Sequence, residues 1–145
     1  MIVKGEFMNN YTIEDLNEAL LEVTLTIKKC EKMQDKFAEG TSQHSLLRNR
    51  IKAMHISKLL IENKLHKIEQ MMDNQVSSVV RNNVVNYTKQ ELADSLRPVV
   101  SIIKKCEKSQ AKFTEGTTYH TRFKNIIKSM YISKSLIEQQ LSIIE

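Results

Sequence analysis

With 145 residues, three glycines, one proline and no tryptophan, the chain lacks the punctuation that strands and tight turns require, while its Leu, Ile, Lys, Glu, Gln and Met favour helices. A formal charge of +5 is weak for a nucleic-acid binder, and no apolar run approaches the roughly 20 residues that span a bilayer. The opening "MIVKGEFM" is too short and too broken for a secretory signal, so the expectation is an all-α, soluble, cytoplasmic protein without a membrane partner.

Residues 1–10 read as an N-terminal extension. Beyond it the chain repeats itself: Tyr11–Leu65 set on Tyr87–Leu141 without a gap gives 29 identities in 55 positions, which shared helical composition alone would not produce. The organisation is therefore a first hairpin repeat over 11–72, a linker over 73–86 and a second repeat over 87–145. In each copy the first helix starts with a capping box, Thr12 with Asp15 and Thr88 with Glu91. A 4-3 alternation follows: Leu16, Leu20, Val23, Ile27, Cys30 and Phe37, then Leu92, Leu96, Val99, Ile103, Cys106 and Phe113, with Gln34 and Gln110 in the vacant slots. Gly40 and Gly116 are placed to end these helices at positive φ, and Thr41 and Thr117, or the residue after each, to cap the next ones. Pro98, where copy one has Glu22, predicts a bend or a restart near Arg97. The second helix carries Leu47, Ile51, Met54, Ile61, Leu65 and Ile68, matched by Phe123, Ile127, Met130, Ile137, Leu141 and Ile144, with Leu46, Ile56 and Leu60 widening the apolar arc.

Helices are thus predicted over Ile13–Ala38, Ser42–Met72, Lys89–Thr114 and Thr118–Ile144. One such hairpin leaves half its apolar surface wet, whereas two cover each other. The predicted fold is two tandem helical hairpins packed as a pseudo-two-fold four-helix bundle around one core. The linker "DNQVSSVVRNNVVN" fits a short helix or an extended connection equally well. The chain is then a self-sufficient monomer, or a homodimer formed through Val76–Val85. Cys30 and Cys106 lie in the stripes, where a thiol acts as a small hydrophobe and stays reduced; a bridge needs the two first helices to meet at that level.

No phosphate loop, Cys-x-x-Cys pair, His-Glu-x-x-His or nucleophile elbow is present, so no enzyme activity, cofactor or metal is expected. His44, His55 and His66 share a face but stand about 16 Å apart in succession, too far to share one ion. What both copies keep outside the seams is polar: Lys29, Thr41, His44, Lys52 and Lys58, and their partners Lys105, Thr117, His120, Lys128 and Lys134. Lys58 and Lys134 fall in the apolar seam, where a lysine either snorkels towards Glu62 or Glu31 or faces a ligand. The basic excess lies in the second copy, which carries ten Lys or Arg against five acids, compared with nine against eight in the first.

The stretch "KCEKMQDKFAEGTSQHSLLRNRIKAMHISKLLIE", with its "EGT-x-x-H" turn and "N-x-I-K-x-M-x-I-S-K" helix written twice, resembles a family of short helical proteins of Gram-positive bacteria and their phages and mobile elements, one that brings no established activity. Its plan is similar, more loosely, to small helical phage proteins that sequester cyclic oligonucleotide signals, and no residue role is carried over from them. The resemblance implies a non-enzymatic sponge or sensor for a small anionic ligand such as a cyclic nucleotide, in an anti-defence role. An adaptor that blocks a protein partner through its helix faces is the alternative, and a weak DNA or RNA binder ranks third. For a sponge, the ten shared residues above are the expected ligand contacts.

Overall fold

The structure is a computed structural model that describes residues 11–73 and 86–144; the predicted N-terminal extension and nearly all of the linker, including Val76–Val85, lie outside them. Among the described residues four helices form, α1 (Ile13–Gln34), α2 (Ser42–Asp73), α3 (Lys89–Gln110) and α4 (Thr118–Ile143). Both capping boxes close as their spacing predicts, with the Thr12 hydroxyl accepting from Asp15 N–H and the Thr88 hydroxyl from Glu91 N–H, each at 3.0 Å.

The first helix of each hairpin stops four residues earlier than its pattern suggests. After Gln34 the chain tightens into i→i+3 bonds, Lys36 N–H to Met33 O and Phe37 N–H to Gln34 O at 3.1 Å, and copy two does the same from Gln110. Gln34 Nε2 then donates to His44 O at 3.3 Å, and Gln110 Nε2 to His120 O at 3.2 Å, tying the helix end to the first turn of the next. Gly40 and Gly116 do take positive φ, 94° and 93°, but as the residues that precede the threonine caps rather than as helix terminators. Phe37 and Phe113 consequently leave the seam and stand 37% exposed in the turns. α3 runs without interruption through Pro98, so the expected restart does not occur. The ring faces a cleft instead of packed side chains, and the bonds of neighbouring turns hold the helix across one missing donor.

The hairpins α1–α2 and α3–α4 pack side by side. Tyr11 reaches Ser135, Asp15 reaches Lys128 and Glu22 reaches Arg122, so α1 runs antiparallel to α4. Lys52 reaching Glu91 repeats the Lys128–Asp15 contact on the opposite side, as a two-fold relation between the copies requires. The core draws on all four helices, with Leu16 and Val23, Met54 and Ile61, Leu92 and Val99, and Met130 and Ile137 fully buried. α2 and α4 also meet across the diagonal. Buried Ala53 and Ser57 on one and Ser129 and Ser133 on the other suit that approach. The hydroxyls of Ser57 and Ser133 donate to carbonyls one turn back, to Ala53 O at 2.9 Å and Ser129 O at 3.1 Å, which leaves no polar group unpaired there.

Candidate functional site

The ten residues kept by both copies do not form one cluster. His44 and Lys58 are separated by about 21 Å along α2, and Lys52 and Lys58 are turned about 120° from each other. Thr41 and Thr117 are helix caps: their hydroxyls accept from His44 N–H at 3.2 Å and His120 N–H at 3.3 Å while donating to Ala38 O and Thr114 O. His44 and His120 are half-buried beside these caps, and His44 Nδ1 is buried without a partner among the described residues.

Lys52 and Lys128 tie one hairpin to the other. Lys128 Nζ lies 2.8 Å from Asp15 and Lys52 Nζ 3.8 Å from Glu91, and each acid is the capping-box residue of the opposite copy. The hydrogen bond from Lys128, followed by the Thr12 backbone N–H, holds Asp15 below the usual carboxylate range. The Thr88 backbone N–H, with Lys52 behind it, does the same for Glu91, and Asp15 in turn raises Lys128. A carboxyl depressed by folding contributes stability above its unfolded pKa and loses that contribution as pH falls through the folded value. Urea unfolding at constant ionic strength should therefore show stability held down to about pH 4 and falling below it. In a Lys52→Met/Lys128→Met variant that acid-side slope should flatten; an unchanged slope would assign it to other carboxylates.

Lys58 and Lys134 are half-buried at the seam edge, and among the described residues neither forms an ion pair with Glu62 or Glu31 or with their counterparts. Lys134 Nζ stands 6.0 Å over the Tyr131 ring, and Tyr131 donates to Glu107 at 3.3 Å.

Lys29 and Lys105 are exposed on α1 and α3, each next to a cysteine of the apolar stripe. Burial pushes the thiols of Cys30 and Cys106 up, and the charges of Arg50 on α2, Lys29 and Lys105 oppose that shift at both sulfurs. Both cysteines are free thiols, Cys30 buried and Cys106 half-buried. Arg50 occupies the core-facing stripe of α2, between Leu47 and Met54, where copy two has Ile126. Its Nη2 donates to Ser101 Oγ on α3 at 3.4 Å, and its Nε is buried without a partner among the described residues. Lys105 follows Ser101 by one helical turn on the same face. The signal was legible in the sequence: a charge in an apolar stripe whose duplicate is isoleucine.

The duplicate interfaces have also diverged. Between α1 and α4 the buried carboxylate of Glu22, 5% exposed, pairs with Arg122. The equivalent positions between α3 and α2 are Pro98 and Leu46, and among the described residues no side chain fills the space. What remains is a cleft of about 550 Å³ floored by Leu46, Ala53, Ile56 and Pro98. Leu46, expected in the buried arc, is 50% exposed for this reason. Lys52, Glu91 and Asp94 stand at one end of the cleft and Arg97 and Ser101 at the other. Among the described residues no group of three or more His, Cys, Asp or Glu side chains could hold a metal ion, and no helix is long and apolar enough to cross a membrane.

No family model matches the chain, and no curated protein or solved structure matches it. The functional reading accordingly rests on the residues and their geometry.

Proposed function

We propose that this chain is a non-enzymatic binding protein that sequesters a small anionic ligand of the nucleotide class, with Arg50, Lys29 and Lys105 as its phosphate-binding cations. The observation that carries this reading is Arg50. A guanidinium set into an apolar stripe, with Nε buried and unpartnered and no carboxylate paired with it among the described residues, costs stability that an isoleucine would not. A phosphate oxyanion supplies a charged acceptor for the guanidinium, and Lys29 and Lys105, whose charges act at the same two cysteines as that of Arg50, supply further charge. The dipoles of α1 and α3 account for cations in their last turns, such as Lys32 and Lys108, but not for one in the third turn of α2. The site takes one lysine from each copy and its arginine from copy one alone, so it is single, and the stoichiometry is one ligand per chain.

A thermal-shift series with cyclic dinucleotides, cyclic ADP-ribose isomers and NAD tests this. A ligand at about 100 times its Kd stabilises the fold by about 2.7 kcal/mol and raises Tm by several degrees. Arg50→Ile, which copies the residue at 126, should keep the fold and lose the shift. No shift with any of these anions, or an equal shift in the variant, would overturn the proposal.

A second reading, an adaptor that blocks a protein partner, is favoured by one feature. At the tip of the second hairpin Phe113 stacks on Tyr119 at 5.0 Å and on Phe123 at 5.9 Å, and Tyr119 is 64% exposed, whereas copy one has Gln43 and Leu47 at the last two positions.

A further inference from the structure

We infer that the cleft between α2 and α3 is the ring-binding half of the same site, so that the ligand carries a phosphate and a flat ring joined by a short linker, as a nucleoside monophosphate does. The inference rests on the anion site around Arg50 and adds a chemical requirement to it. Ser101 is the hinge between the two parts: it lines the cleft and accepts from Arg50 Nη2 at 3.4 Å. A phosphate held by Arg50 beside Ser101 therefore lies at the Ser101 end of the cleft, which Arg97 also lines. From there the floor of Pro98, Leu46, Ala53 and Ile56 runs past Asn49 towards Asp94, Glu91 and Lys52. Pro98 and Leu46 offer flat apolar surface to a ring, and Leu46 remains 50% exposed until something covers it. Asn49 along the wall and Asp94 towards the far end can accept from an exocyclic amine on the ring edge. A volume of about 550 Å³ falls within the range of small-ligand pockets.

The opposite interface shows what a closed version looks like. There Arg122 and Glu22 occupy the positions of Leu46 and Pro98, and the space is filled by their ion pair. Divergence of the two copies has thus left one interface plugged and one open, and the open one adjoins the unpartnered arginine.

The test is calorimetric, on the full chain, with inorganic phosphate, ribose 5-phosphate and adenosine monophosphate as probes. Adenosine monophosphate should bind at least about tenfold more tightly than phosphate, with ribose 5-phosphate close to phosphate, because ring burial supplies the difference. Leu46→Arg/Pro98→Glu, which writes the plug of the opposite interface into the cleft, should bring adenosine monophosphate down to the level of phosphate and leave phosphate itself unchanged. Arg50→Ile should weaken all three. Equal affinities for the three probes in the unmodified chain would overturn the ring-binding inference while leaving the anion site standing. Adenosine monophosphate binding that the plug variant does not change would overturn it as well. Absence of binding by all three probes would overturn both readings. The comparison of probes in the unmodified chain needs no variant to fold, and a melting curve of the plug variant checks that it does.

Discussion

Replacing Arg122 by leucine, the residue copy one carries at the equivalent position 46, is expected to lower the melting temperature by roughly 10 °C. Glu22 is 5% exposed and Arg122 is its partner, while the second carboxylate oxygen, Oε1, already has none among the described residues. Removal of the guanidinium leaves a charge in the interface between the hairpins with nothing to answer it, and stranding one member of such a pair costs about 3 kcal/mol or more. Arg122 is itself 48% exposed, which places the loss at the lower end of what fully buried pairs show. In a chain of this size about 3 kcal/mol corresponds to roughly 10 °C. The second variant, Glu22→Leu/Arg122→Leu, should recover most of that loss, because an apolar pair of similar volume strands no charge. Thermal melts followed by circular dichroism at neutral pH read both values. A single variant within a degree or two of the unmodified protein would mean that water reaches Glu22 freely and that the pair does not organise the interface.

The separated repeats are expected to choose each other over themselves by about a hundredfold or more in association constant. A self-paired first repeat places Glu22 against Leu46 at both of its equivalent interfaces, so two buried carboxylates lose their arginine, and each Arg50 meets Leu25 in place of Ser101. The mixed pair restores Glu22 to Arg122 and Arg50 to Ser101. Polypeptides covering 11–73 and 86–145, mixed in equal amounts and examined by sedimentation and by the concentration dependence of helicity, should give a one-to-one complex. The first repeat alone should stay largely monomeric and poorly helical at the same concentration. Self-association of 11–73 as strong as the mixed association would show that these substitutions do not set the pairing. If the expectation holds, the divergence of the copies is what directs a first repeat to a second repeat rather than to another first repeat.

Much of the architecture was readable from the residues alone, for a physical reason. Helix starts are local events: Thr12 and Asp15, or Thr88 and Glu91, close their capping boxes within four residues, so the spacing suffices to predict them. The apolar stripes at Leu16, Val23 and Ile27 and at Met54 and Ile61 likewise carry their own periodicity, and the 29 identities between copies require a second hairpin to cover the first. Helix ends were less legible, because Gln34 and Gln110 terminate α1 and α3 by bonding to His44 O and His120 O across the turn, a contact between segments. The roles of the shared polar residues depended on tertiary structure entirely. Lys52 and Lys128 look free along their own helices, and only the other hairpin supplies Glu91 and Asp15 to occupy them. Persistence after duplication therefore marked residues that hold the copies together as readily as residues that could hold a ligand. The features that distinguish one side of the bundle from the other, Arg50 beside Ser101 and the cleft over Pro98, lie at positions where the copies differ, and their meaning appears only when α2 and α3 are set against each other. Sequence alone determined which segments are helical and that two hairpins must share a core, since those follow from near-neighbour bonds and burial periodicity. Packing decided which charges are paired, which one is stranded and which interface stays open, since those are properties of two surfaces in contact.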